Sequence, residues 1–246
     1  MATRIIVFAR FMKNRLCEEF PELKDKIAII PHTVKLERRI HDFSDKLKLT
    51  GEEFIFLVPA GIRPVKNVTF CLRPLARLRE KYPCLRLVYA GPILDEEYGT
   101  QFLEAIKGLD WVIYLGAVPH ENMYSLLNLA DVVINSSISE GMPNAILEAM
   151  SLGKAVLVSK IPGNEALVTD GREGFTFSSE SEFYSKAERL IREEDLRKKL
   201  GARAKKKVIL NFSNRREIED HLQVYKQAME AYFPKNRRSE TCCSRL

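Results

Sequence analysis

Short apolar runs alternate with helical repeats through the middle of the chain. Residues 54–58, 85–90, 111–115, 131–135 and 155–158 form runs too short for a helix and rich in β-branched or aromatic side chains, the pattern of strands buried on both faces. Between them, residues 68–81, 95–107, 121–129 and 143–152 place apolar side chains at intervals of three and four, which predicts helices with one buried stripe. This alternation predicts an α/β fold, a doubly wound parallel sheet. Pro74 falls inside the first of those helices and must kink it or shift its start. Ahead of the alternation, residues 4–8 read as a strand, 11–20 as a helix and 26–31 as a strand leading to a linker. Behind it, Ser213 and Asn214 are placed to cap a helix over 215–233, with Ile218, Leu222, Tyr225, Met229 and Tyr232 as its apolar stripe.

Candidate chemistry concentrates after the run at 131–135. Gly141 permits a sharp turn, Pro143 suits a first helical position, and Ala145, Ile146, Ala149 and Met150 form the buried stripe of the helix that follows. The unpaired N–H groups and positive dipole end of such a helix favour phosphate. Glu140 sits beside that phosphate seat, and Glu148 lies roughly 7 Å further along the helix axis at ~1.5 Å rise per residue. Carboxylates at the two ends suit a ligand with hydroxyls on either side of a diphosphate, as in a nucleotide sugar. Two solvated helix glutamates remain the plain alternative.

The loop 60–67, after the strand at 54–58, adds Gly61, Arg63 and Lys66. Fixed cations there would stabilise the charge that develops on a departing phosphate; a surface loop with solvated cations is the alternative. Gly91-Pro92, Val118-Pro119-His120 and the segment 161–165 occupy further strand ends, where open α/β sheets bind ligands. Turn chemistry accounts equally for Gly91, and Asn164 reads either as a pocket residue beside Gly163 or as a helix cap.

The stretch Ser139-Glu140-Gly141-Met142-Pro143-Asn144-Ala145-Ile146-Leu147-Glu148-Ala149-Met150 resembles the retaining glycosyltransferases of GT-B architecture, glycosyltransferase group 1. Leu115-Gly116, Ala130-Asp131, the segment 153–159 and Asp170-Gly171-Arg172-Glu173-Gly174 share the likeness. The resemblance implies that Glu140 lies at the donor sugar and Glu148 at the nucleotide ribose. Gly61, Gly91, Gly141, Met142 and Pro143 then belong to the donor site, and Arg63 and Lys66 contact the diphosphate. The chain departs from the family pattern where Ile62 separates Gly61 from Arg63 in a shortened loop. The family's catalytic histidine belongs to its other half, so His120 reads as a helix-start residue.

By the same resemblance the chain is the donor-binding carboxy-terminal half of a GT-B fold with a remnant of the amino-terminal half. Residues 1–40 correspond to the remnant and linker, 41–212 to the donor domain, 213–234 to a carboxy-terminal crossing helix, and 235–246 to a disordered basic tail. Ile5, Val7, Phe11 and Leu16 of the remnant are then left partly uncovered, a surface for homo- or hetero-association. The implied reaction is retaining transfer of a hexose-type sugar from a nucleoside diphosphate to an unknown acceptor, with no metal and no cofactor. A non-catalytic module that binds a nucleotide sugar or a paralogue is the alternative. A dinucleotide oxidoreductase is disfavoured, since no G-x-G-x-x-G follows the first strand.

Composition narrows the partners. With 246 residues, 46% hydrophobic and 29% charged, the chain is long enough for one or two soluble domains. Its net charge of +6 is concentrated between Lys186 and Arg216. Such basic helices suit a membrane surface better than nucleic acid, for which no motif is present; a solvated outer face is the plain account. Cysteines at 17, 71, 84, 242 and 243 are odd in number and lack metal-ligand spacing, which predicts reduced thiols. Cys243 sits where a prenylated cysteine would, but Arg245 breaks that motif. No signal-peptide or membrane-spanning run occurs, so a cytoplasmic location is expected, with any targeting segment lost with the missing half.

Overall fold

The computed structural model describes residues 3–34, 40–47, 50–212 and 214–232. The expected tail at 235–246, Cys242, Cys243, the capping Ser213 and the helix end at Phe233 lie outside the described residues, as does most of the linker.

Two compact units are present, residues 1–31 with 215–246 and residues 32–214. In the first, β1 (Ile5–Val7), α1 (Arg10–Glu19) and β2 (Ile27–Ile29) form a strand–helix–strand whose two strands pair in parallel. Lys13 bridges it by donating from Nζ to the Ile27 carbonyl at 2.9 Å. Ile5, Phe11 and Leu16 are half-buried as expected, but Val7, at the carboxyl end of β1, is buried.

The second unit begins with α2 (Ser44–Leu47) and then runs β3 (Phe54–Pro59), α3 (Leu72–Lys81), β4 (Leu85–Ala90), α4 (Glu96–Ile106), β5 (Val112–Tyr114), α5 (Met123–Leu129), β6 (Val132–Asn135) and α6 (Asn144–Ser151). It continues through β7 (Ala155–Ser159), α7 (Pro162–Glu165), β8 (Phe175–Phe177), α8 (Glu180–Arg192) and α9 (Glu194–Asn211). All six strands are parallel, in the order β5-β4-β3-β6-β7-β8. The strand β8 escapes a periodicity reading: it has three residues, all buried. The conflict at Pro74 resolves through a shifted start. A 3-10 turn occupies Val68–Cys71 and α3 begins at Leu72, so Pro74 falls in the first helical turn, where its missing N–H costs nothing.

Apolar side chains pack on both faces of the sheet. Phe56, Leu85, Leu87 and Tyr89 meet α3, α4 and α8 on one side, and Leu57, Val88, Val133 and Val156 meet α5, α6 and α9 on the other. Full burial of each large side chain is worth ~1.5–3 kcal/mol, which explains why the strands read as unbroken apolar runs. α9 lies along the amino-terminal edge of the sheet. Arg197 stacks over Phe54 at the start of β3, Gly201 touches Gly153 just before β7, and Lys207 approaches Glu173 just before β8.

The last helix, α10 (Asn214–Tyr232), groups with the first unit. Its expected stripe does not form the buried face: Ile218, Leu222, Tyr225 and Met229 are exposed and Val224 is the buried position. The side chain of Tyr232 lies outside the described residues.

A Cβ at Gly201 would overlap the Gly153 carbonyl. Helix propensity alone makes Gly→Ala favourable by about 1 kcal/mol, whereas overpacking costs about 1–3 kcal/mol. Gly201→Ala is therefore expected to lower the urea midpoint at unchanged m-value. A raised midpoint would show that α9 can slide freely along the sheet edge.

Candidate functional site

The strand order reverses direction between β3 and β6: the chain leaves β3 toward β4 and β5 and returns beside β3 to continue outward through β7 and β8. At such a point the loops at the carboxyl ends part to either side and leave a crevice. A cavity of ≈ 310 Å³ occupies it, with Pro59 at the end of β3 and Gly61 and Lys66 after it on one wall. Asn135, Ser137, Glu140, Met142, Pro143 and the first turn of α6 form the other.

The two loops are tied to each other. Ser136 Oγ donates to the carbonyls of Lys66 and Asn67 at 3.2 and 3.0 Å, and Ile138 N donates to Val65 O at 2.9 Å. Asn67 adopts the left-handed region at φ 45, which an Asn tolerates better than most residues, and there it ends the short 3-10 turn Pro64–Lys66. Lys66 Nζ consequently meets Glu140 Oε1 at 2.5 Å. Ser137 Oγ and Asn135 Nδ2 donate to the same oxygen at 2.7 and 3.1 Å. Burial pushes the Glu140 carboxyl up, but the bonds from Lys66, Ser137 and Asn135 outweigh it and hold the group below its ordinary value.

Glu148 occupies the next turn of α6 and is nearly buried. Its Oε1 lies 2.9 Å from His120 Nε2. His120 does open a helical turn, the 3-10 segment His120–Asn122, and it also pairs with the candidate ribose carboxylate. Periodicity carried no sign of that pairing; the position of His120 at a strand-end turn was the available clue.

Among the other expected site residues, Gly61, Met142 and Pro143 line the cavity. Gly91 abuts the backbone of Ala60 and Gly61 and so backs one wall. Gly141 lies in the turn between Glu140 and Met142, both of which line the cavity. Pro143 caps α6 rather than occupying its first helical position, since helical geometry starts at Asn144. Arg63 is exposed and is not among the residues that line the cavity. Asn164 fills neither expected role. Ile161 caps α7, and Asn164 is fully buried with its amide directed at Ser159 and Asn135.

No cluster of three or more His, Cys, Asp or Glu side chains suited to a metal occurs among the described residues. Cys71 is buried, which pushes its thiol up to about 12, and Cys17 and Cys84 are free thiols. No helix among the described residues is long and apolar enough to cross a membrane. Three basic residues of α9, Arg203, Lys206 and Lys207, line a second cavity of ≈ 580 Å³ together with Arg172 and Glu173. It lies at the amino-terminal edge of the sheet, the edge opposite the Glu140 crevice.

The depressed Glu140 carboxyl sets an acid limit. Stability from its contacts is full above the ordinary value of 4.5 and is lost as pH falls through the lower folded value. Glu140→Gln should remove this part of the acid dependence, so that urea midpoints of variant and wild type converge below pH 4.5. Parallel stability curves across that range would show that the pair adds nothing.

Residues 40–207 match the family model described as glycosyl transferases group 1. The chain is 28% identical over 216 residues to glycosyltransferase 1 domain-containing protein 1 of Xenopus tropicalis, covering 85% of this chain and 63% of that protein. It is 30% identical over 181 residues to the putative glycosyltransferase EpsD of Bacillus subtilis, covering 73% of this chain and 47% of that protein. A glycosyltransferase from Rickettsia africae superposes with a TM-score of 0.83 at 21% identity, over 93% of this chain and 64% of that one. HepE of Anabaena in complex with UDP-glucose superposes with a TM-score of 0.78 at 18% identity, over 92% and 63% of the two chains. The chain thus spans about half to two-thirds of the length of these relatives, and its α/β Rossmann-like fold matches GT-B glycosyltransferase structures. With a family match running through both walls of the crevice, the chain belongs to the glycosyl transferases group 1 family.

Proposed function

We propose that the crevice between β3 and β6 binds a nucleoside-diphosphate sugar as the donor of a hexosyl transfer with retention of configuration. The observation that carries this reading is the convergence of Lys66, Glu140 and the first turn of α6 on one cavity, with Glu148 one step further along the same helix. The UDP-glucose bound to HepE, a structural relative, supports the same ligand class.

Each group has a role that follows from its position. The N–H groups of Asn144 and Ala145 precede the first helical bonds of α6, which Ile146 N and Leu147 N make to Pro143 O, and in this reading they face phosphate. Lys66 supplies the cation that stabilises charge on the departing diphosphate, with Arg63 joining it from the adjoining exposed loop. Glu140 accepts from sugar hydroxyls, and Glu148 accepts from ribose hydroxyls in place of His120. Lys66, Arg63 and the helix dipole supply the countercharge, so the reading includes no metal ion. The acceptor is bound by surfaces other than these residues.

Titration calorimetry of the chain with UDP-, GDP- and ADP-sugars tests the reading and identifies the carrier base. A hydrogen bond to a charged group is worth about 1.5–3 kcal/mol, so Glu148→Ala should weaken the bound nucleotide by about tenfold to a hundredfold. Equal affinity of mutant and wild type would remove Glu148 from the site. Lys66→Met should weaken a nucleoside diphosphate while leaving the weak binding of the free nucleoside unchanged, whereas loss of both would place Lys66 in a structural role. Donor binding without sugar transfer to any acceptor tested would favour the non-catalytic alternative.

A further inference from the structure

Glu140 is held by more than its own loop. Two of the three donors on its Oε1, Asn135 Nδ2 and Ser137 Oγ, belong to residues that are themselves fixed from the neighbouring strand. Asn135 Oδ1 accepts from Ser137 N at 3.1 Å and from Asn164 Nδ2 at 3.2 Å. Ser137 O accepts from Ser159 Oγ at 2.6 Å. Asn164 Nδ2 also donates to Ser159 O at 2.9 Å and lies 3.0 Å from Ser159 Oγ. One fully buried amide therefore reaches both residues that orient the carboxylate.

The orientation of that amide is determined. Three oxygens surround Nδ2, and turning the group over would set Oδ1 against them. In the orientation found, Oδ1 is buried with no partner. A buried polar atom is rarely left so, and here donation from Nδ2 outweighs the unmet acceptor. The backbone of the same loop adds a second, independent hold: a Cβ at Gly163 would overlap the Glu140 carbonyl. The loop after β7 thus presses on the Glu140 backbone and steers its side chain, while none of its residues lines the cavity.

We propose that Asn164 is a positioning residue for Glu140, acting through Asn135 and Ser159, and that this loop sets the angle at which the sugar end of the donor is received. Preorganised groups act only within about 0.5 Å of the productive geometry, so a loosened Glu140 should lose the sugar while the phosphate and ribose contacts persist. The affinity part of the proposal rests on the donor reading above; the orientation of Glu140 does not.

The test is Asn164→Asp, which keeps the shape and replaces the donating NH2 by an acceptor. Ser159→Ala, which removes the hydroxyl between Asn164 and Ser137 and lies outside the cavity lining, serves as the second variant should the first not fold. Affinities are measured by calorimetry for UDP-glucose and for UDP, and the Glu140 carboxyl is followed by 13C NMR titration. UDP is expected to bind within about twofold of wild type, and the added affinity of UDP-glucose over UDP to fall about tenfold. The Glu140 titration should move upward in both variants as its hydrogen bonds weaken. Equal loss of UDP and UDP-glucose would reduce Asn164 to a structural residue and overturn the proposal, as would an unmoved Glu140 titration. If the wild type binds neither ligand while the titration moves, positioning stands and the donor reading fails.

Discussion

The reversal of strand order between β3 and β6 is the constraint on which the rest depends. Parallel neighbours with crossovers leaving in opposite directions must present their carboxyl-end loops side by side. Here that brings together Lys66 and Glu140, 74 positions apart in the chain. The topology supplies proximity, and the bonds from Ser136 Oγ and Ile138 N to the carbonyls of the facing loop supply register. Without these ties the lysine, on a short 3-10 turn, would have many rotamers to choose among; side-chain ordering of a lysine costs up to about 1.5–2 kcal/mol.

The two edges of the sheet divide the work. At the amino-terminal edge, charged groups serve the fold: Asp131 Oδ2 accepts from Ile55 N, and Arg197 donates to the Leu190 and Ile191 carbonyls that end α8. Glu173, buried there, draws in Arg172 and Lys207. Several of the cations behind the net charge are thus committed to the protein itself, so charge density alone is weak evidence for a polyanionic partner. At the carboxyl edge the charged groups Lys66 and Glu140 meet each other beside a cavity instead of binding backbone.

Legibility in the sequence followed the physics of each element. Strands buried on both faces, such as Phe54–Pro59 and Ala155–Ser159, announce themselves as apolar runs because nothing polar is tolerated on either side. The three-residue β8 has too few positions to show a period. The α10 stripe misled because apolar spacing reports a capacity for burial and not the partner that covers it. At the candidate site, Lys66 and Glu140 were expected in loops at strand ends and Glu148 on the helix that follows, with their roles drawn from the family resemblance, and the fold does bring Lys66 and Glu140 together. The partners that hold them were not legible. That His120 meets Glu148, and that Asn164 supports Asn135, are contacts between residues 28 and 29 positions apart, set by tertiary packing that leaves no local pattern.

Each of the two candidate carboxylates has a partner within the protein, Glu140 with Lys66 and Glu148 with His120. An unpaired carboxylate in so covered a position would cost several kcal/mol of lost hydration, and the fold avoids that cost by pairing each one. Under the proposed reading, a donor that enters the crevice exchanges partners instead of filling bare acceptors. Its diphosphate would compete with Glu140 for Lys66, and its ribose would compete with His120 for Glu148. Affinity then measures a difference between two satisfied states, which keeps ground-state binding modest. In the proposed reaction Lys66 would gain most when negative charge accumulates on the leaving phosphate, so its contribution is weighted toward the transition state and away from the bound substrate.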